Sequence, residues 1–177
     1  YEHALMHVAQ GLARGGALRN ARLLSVLWIN RVIGLTELGR SADSLPDIAA
    51  LLALPADAAG RGRMSAHYET LAIAALRAGD LALGAELVDR AWAEGDALLP
   101  DERLERVTAT GLLALSRQRA ADAVSTLQPA LAAASRDDTE GLSVRMRAQF
   151  FSVLSEAYEA DGRVADALAA LRQCQRL

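Results

Sequence analysis

Lysine is absent from the 177 residues, and all 19 basic side chains are arginine. That bias reads as the codon usage of a GC-rich genome rather than as chemistry. Cys174 is the single cysteine, which excludes an intramolecular disulfide and fits a reducing compartment, so a cytoplasmic location is expected. Aromatic residues make up 4% of the chain, so its core cannot rest on large rings. With only 4 prolines, long helices can run uninterrupted. No apolar run approaches the ~20 residues of a membrane span, and no membrane contact is expected. Charge of one sign is also scarce: a formal net charge of -3 leaves no basic patch and argues against nucleic acid as a direct partner. No signal peptide is visible. Tyr1 is not a natural start, so the chain reads as a piece of a longer protein, and missing targeting signals carry no weight.

What is abundant is small and apolar. Hydrophobic residues reach 52%, and alanine is the largest contributor to that share. Alanine is the best helix former and the smallest side chain that still fills a helix–helix contact. The composition predicts an all-α chain of closely packed helices, long enough for one substantial domain.

Three short breaks share a pattern: Ala78-Gly79-Asp80, Arg117-Gln118-Arg119 and Asp161-Gly162-Arg163. Aligned on Gly79, Gln118 and Gly162, their flanks agree. Tyr68, Val107 and Phe151 stand eleven residues before the anchor, and Ala72, Gly111 and Ser155 seven before. After the anchor come Leu81, Ala120 and Val164, then Gly84, Ala123 and Ala167, then Val88, Leu127 and Leu171, then Ala91, Ala130 and Cys174. Two antiparallel helices at ~8–10 Å need small residues where their axes approach and larger ones in the flanking layers. Gly111 and Ser155 are accordingly expected to face Ala123 and Ala167.

This order of large and small residues resembles the tetratricopeptide repeat family, in the long-helix form found in bacterial regulators. The last unit fits best, through Phe151, Leu154, Ser155, Tyr158, Gly162, Ala167 and Leu171. Departures are Gln118 at a turn glycine, Ala75 at a preferred tyrosine, and no closing proline in register. The resemblance implies a single domain over 1–177, an α-α superhelix (solenoid) of about four helical hairpins: a degenerate repeat at 21–54 and repeats at 64–95, 101–134 and 141–176. An orphan helix over 1–14 precedes them, ended by Gly15-Gly16. In the degenerate unit a first helix from Ala21 to Leu38 ends at Gly39, and a second starts at Ser44 as N-cap with Pro46 in its first turn. Trp28 takes the aromatic position, and Arg31 falls where a core leucine belongs. Anchors at Gly39, Gly79, Gln118 and Gly162 are 40, 39 and 44 residues apart, against about 34 in the standard repeat. The excess is assigned to inter-repeat loops at Pro55–Gly62 and Ser135–Glu140.

Candidate chemistry is sparse. His3 and His7, four apart on a helix, could reach one metal, but no third ligand stands near; two half-exposed histidines on a frayed terminal helix are the expectation. Cys174 sits where the repeat wants a small buried residue and is read as structural. Gly15-Gly16 and Gly60-Arg61-Gly62-Arg63 follow no strand and make no phosphate loop. No nucleophile–base set or carboxylate pair stands out, so no catalytic, metal or cofactor site is expected, and the chain is read as a non-enzyme. Trp92 is assigned to the core.

The resemblance further implies binding of a protein or peptide in a concave groove lined by the first helix of each hairpin. Carried over position by position, the groove comprises Glu69, Ile73 and Arg77; Glu105, Thr108 and Leu112; and Gln149, Ser152, Glu156 and Glu159. Lysine and asparagine, which together with arginine clamp a terminal carboxylate in some members of the family, are absent there. A mildly acidic surface with an apolar floor suits a peptide with apolar anchors and a basic residue. Arrays of this type sit beside diguanylate cyclase (GGDEF), histidine kinase or maltose-regulator-like output domains, which implies a sensory or interaction module of a bacterial signalling or transcription-regulatory protein. A free-standing adaptor or an assembly or secretion chaperone is the alternative. Val164, Leu168 and Leu171 step by four and three on the last helix, so the C-terminal helix is also expected to pair with a second copy or to continue into a signalling helix.

Overall fold

Four turns have the same backbone. Gly39, Gly79, Gln118 and Gly162 all take left-handed φ values, of 70°, 83°, 59° and 77°. At each, two hydrogen bonds close the preceding helix. The anchor N–H donates to the carbonyl three residues back, and the next N–H to the carbonyl five residues back. Gly79 to Leu76 (3.0 Å) with Asp80 to Ala75 (2.9 Å) and Gln118 to Leu115 (2.8 Å) with Arg119 to Ala114 (2.9 Å) are two instances. This is the double closure that satisfies the last helical carbonyls when the chain reverses through a left-handed residue.

The computed structural model describes residues 1–18, 21–54, 67–95, 99–135 and 142–177, with the side chains of 15–18 left aside. Helices run over α1 (Glu2–Leu18), α2 (Ala21–Glu37), α3 (Leu45–Leu52), α4 (Tyr68–Arg77), α5 (Leu81–Ala93), α6 (Pro100–Ser116), α7 (Ala120–Leu127), a short α8 (Leu131–Ala134), α9 (Val144–Ala160) and α10 (Val164–Gln175). The described residues contain no strand. Of the expected inter-repeat loops, all but Ser135 in the second lies beyond those residues from position 55 onward, as do Gly60-Arg61-Gly62-Arg63 and the start of the repeat at 64–95. The chain divides into two compact units, Tyr1–Arg90 and Ala91–Leu177.

In the first unit, α1 corrects the expectation of an orphan helix ended by Gly15-Gly16: it continues to Leu18 and packs on α2. The two helices approach through glycine. A Cβ on Gly11 would lie 3.0 Å from Leu27, and one on Gly34 would lie 2.9 Å from Leu5. The pairs 11–27 and 5–34 fix the helices as antiparallel. After α2 the chain makes a 3-10 turn, Ser41–Ser44, before α3. Ser44 stands at the N-cap position, but its hydroxyl donates back to the Ser41 carbonyl (2.6 Å) instead of capping the helix. Ile29, Val32, Leu35, Ile48, Leu51, Leu71 and Leu87 form the buried interior of this unit. In α5, Gly84 lets Leu76 of α4 come so close that no Cβ fits between them.

In the second unit, α9 packs against α6, α7 and α10. Gly111 admits the Leu127 side chain, whose Cγ would lie 2.7 Å from a Cβ there. Ser155 meets α10 as expected, its hydroxyl donating to the Ala167 carbonyl (3.0 Å). Two first helices are tied at their starts. Ser143 caps α9 by accepting from the Met146 N–H (3.2 Å), and its own N–H donates to Asp101 Oδ1 (2.8 Å) at the start of α6. Trp92 is not core. It is 48% exposed, its Nε1 donates to Thr110 Oγ1 (3.0 Å), and the buried Arg106 guanidinium lies 5.3 Å from its ring.

Candidate functional site

The ten groove positions separate by burial. Glu69, Ile73, Glu105, Thr108 and Leu112 are buried, so their side chains form interior rather than an open floor. Glu105 pairs with Arg145 (3.6 Å), and the Thr108 hydroxyl donates to the Leu104 carbonyl within its own helix (2.7 Å). The physical reason is packing: α4 and α6 are each covered on more than one side, as the unbroken buried run Glu69–Leu76 shows. Arg77 is exposed at the end of α4. The remaining four positions, all on α9, stay accessible. Gln149, Ser152 and Glu156 are half-buried and Glu159 is exposed. Their spacing of three, four and three places them on one side of the helix. The Ser152 hydroxyl donates to Glu156 Oε1 (3.2 Å). Gln149 keeps a buried Oε1 with no hydrogen-bond partner among the described residues.

α10 divides in a matching way. Ala167 and Ala170 are buried, and the Cys174 thiol, half-buried, donates to the Ala148 carbonyl (3.4 Å); this side meets α9. On one flank, Asp166, Ala169, Ala170 and Gln173 line a cleft of about 210 Å³ together with Phe151, Leu154 and Tyr158 of α9 and Leu131 and Ser135. On the other flank stand Val164, Leu168 and Leu171, exposed by 71%, 47% and 43%. At the position of Leu171 the two preceding units carry Val88 and Leu127, which are buried. At 100° per residue, the cleft residues of α9 and the polar row of Gln149, Ser152, Glu156 and Glu159 lie on opposite sides of that helix. One face of the last hairpin therefore carries the cleft. Its other face carries a polar, acidic row on α9 beside an apolar row on α10, with Arg172 beyond it.

A recurrent ion pair escaped the sequence reading. Arg40 pairs with Asp43 (2.8 Å), Arg119 with Asp122, and Arg163 with Asp166 (2.7 Å). Each arginine follows the left-handed anchor and each aspartate stands three residues on, so an Arg-x-x-Asp word after the anchor was the available signal. The exception is Asp80, whose Oδ1 accepts from the Leu83 N–H (3.0 Å) and caps α5 directly. The Asp166 carboxylate raises the pKa of the Arg163 guanidinium above its ordinary value, chiefly through their hydrogen bond. Arg163 also stacks 4.5 Å from the Tyr158 ring.

Other candidates resolve into local contacts. His3 and His7 meet edge to face at 4.6 Å, and the described residues hold no group of three or more His, Cys, Asp or Glu arranged for a metal. No helix among them is long and apolar enough to cross a membrane. The chain matches no family profile, no curated protein and no solved structure.

Proposed function

We propose that this chain is a protein-interaction module of the tetratricopeptide type, and that its last hairpin receives an amphipathic segment of a partner protein. One observation carries the reading: the exposed apolar row Val164, Leu168 and Leu171 beside the accessible polar row Gln149, Ser152, Glu156 and Glu159. Large apolar side chains gathered on one exposed face, rimmed by charge, mark interaction surfaces. A helical partner would place its apolar i, i+3 and i+4 residues on Leu168 and Leu171. Its basic edge would lie along Glu156 and Glu159, where opposite potentials set orientation and on-rate more than raw affinity. Left-handed reversals of the same form at Gly39, Gly79, Gln118 and Gly162, 40, 39 and 44 residues apart, support the repeat assignment. Such a module would serve as a sensory or interaction domain of a bacterial signalling or transcription-regulatory protein.

Selection of a random peptide library against the folded protein tests the reading. Enriched sequences should carry helically spaced apolar residues with a basic flank. They should bind the Leu168→Glu/Leu171→Glu variant at least about tenfold more weakly, since truncated interface anchors typically cost more than 1 kcal/mol each. Both side chains are exposed, so circular dichroism should show the variant folded. Peptides that bind wild type and variant alike would refute the proposed face. Concentration-dependent dimers in light scattering, abolished in the same variant, would give the face to a second copy of the chain instead.

A further inference from the structure

The arginine that departs from the repeat pattern opens on a cleft in the first unit. Arg31 stands on α2 next to the buried Val32 and one turn before the buried Leu35. A charge set among apolar positions is costly unless it is paired. Its partner is Asp47 of α3, 5% exposed, whose Oδ1 accepts a single hydrogen bond from Arg31 Nη1 at 3.3 Å. Asp47 Oδ2 is buried and has no hydrogen-bond partner among the described residues. The pair is thus far from the two-pronged contact that a guanidinium and a carboxylate can make. An aspartate held this way anchors Arg31 and uses little of its five-donor capacity.

Arg31, with its side chain 39% exposed, lines a cleft of about 360 Å³ whose other walls are Leu5, Met6, Ala9 and Leu12 of α1, Leu35 of α2, and Arg40. Arg40 is itself held from outside the helix by Asp43, through Nε and Nη2 at 2.8 Å each. The cleft is therefore lined by two arginine side chains, each ion-paired to an aspartate, and by apolar side chains of α1 and Leu35. Placed among apolar walls with few convergent polar groups, such donors fix the orientation of a small molecule and its charge. We propose that this cleft binds a small carboxylate with an unbranched apolar body, its carboxylate on Arg31 and Arg40 and its hydrocarbon along Leu5, Met6, Ala9 and Leu12. The planar forks of arginine suit a carboxylate, and the α1 side chains offer no polar group that would hold a sugar or a second charge. The site lies wholly in the first unit and is independent of the α9–α10 face.

Octanoate is the probe, with octanol and acetate as its two halves, titrated into the whole chain by calorimetry and followed by thermal shift. Octanoate should bind and raise the melting temperature, and octanol and acetate should each bind at least about tenfold more weakly. Arg31→Met combined with Asp47→Leu removes the pair together and leaves no buried charge; it should lose octanoate affinity at least tenfold. Asp47→Asn frees Arg31 from its competitor and should tighten octanoate severalfold. Arg40→Gln, on an exposed side chain, and Met6→Glu should each weaken it without altering the far-ultraviolet spectrum. Equal binding of octanoate and octanol overturns the proposal, because it would make the arginines irrelevant. Unchanged octanoate affinity in Arg40→Gln and Met6→Glu overturns it as well, even if the double variant fails to fold.

Discussion

Gln118 occupies a left-handed position that glycine fills at the three equivalent turns. A side chain with a Cβ pays roughly 1 kcal/mol for that conformation, and glycine does not. Gln118→Gly should therefore raise stability by about 0.5–1 kcal/mol even though it makes the unfolded chain more flexible. A rise of a few degrees in melting temperature is expected; a fall would mean that Gln118 makes a contact worth more than the strain. Gly111 poses the opposite case. Alanine there gains ~1 kcal/mol of helix propensity, but its Cβ would press within 2.9 Å of three Leu127 atoms. Leu127 is fully buried and has nowhere to go, so overpacking at about 1–3 kcal/mol should win. Gly111→Ala should lower the melting temperature in the wild-type background and not in Leu127→Ala, where the same methyl would fill space. A loss of equal size in both backgrounds would place the strain elsewhere.

At the level of elements, the short α3 is fixed to α2 by a buried aspartate. Burial raises the Asp47 carboxyl pKa above its ordinary value of 3.8, and the charge of Arg31 only partly opposes this. The sign follows from linkage: a raised folded value means that the folded state holds the proton more tightly. The resulting stability is fully present below the unfolded value and is lost as pH rises through the folded one. In Asp47→Asn this loss cannot occur. The stability difference between variant and wild type should shift in the variant's favour as pH rises above about 4, then level off once Asp47 is ionised. Thermal melts across pH 3 to 7 read it directly. A difference that moves the other way would show that the Arg31 charge dominates.

The hairpins themselves were legible because their turns depend on backbone conformation. A left-handed residue is written as glycine in three of four places, and its spacing survives alignment. The path of α1 was not legible. Glycine is tolerated inside a helix at ~1 kcal/mol, so Gly15-Gly16 signals a stop that packing against α2 overrides. Burial of Glu105 was also hidden, since a carboxylate in sequence carries no mark of the arginine that will meet it; Arg145 lies forty residues from Glu105. Trp92 misled for a similar reason. A ring reads as core until Arg106 and Thr110 are seen to hold it at the surface.

For the whole molecule, the division into Tyr1–Arg90 and Ala91–Leu177 makes a prediction about cooperativity. Each unit buries its own interior, so Ala91–Leu177 expressed alone should remain helical, with a melting temperature below that of the full chain. Loss of its helical circular dichroism would mean that the second unit depends on the first. Peptide capture at the α9–α10 face should persist in that fragment, because every residue proposed for it lies beyond Arg90. Carboxylate binding should be lost with the first unit.

The exposed ring of Trp92 has one more use. The chain has 2 tryptophans, and they fall on different sides of that division: Trp28 in α2, half-buried, and Trp92 against the Arg106 guanidinium. Each compact unit thus carries its own optical label. Trp28→Phe leaves an emission that reports only on the second unit, and Trp92→Phe leaves one that reports only on the first. Denaturant titrations of the two variants should give separate midpoints if the units open one after the other, and coincident ones if the chain melts as a single body.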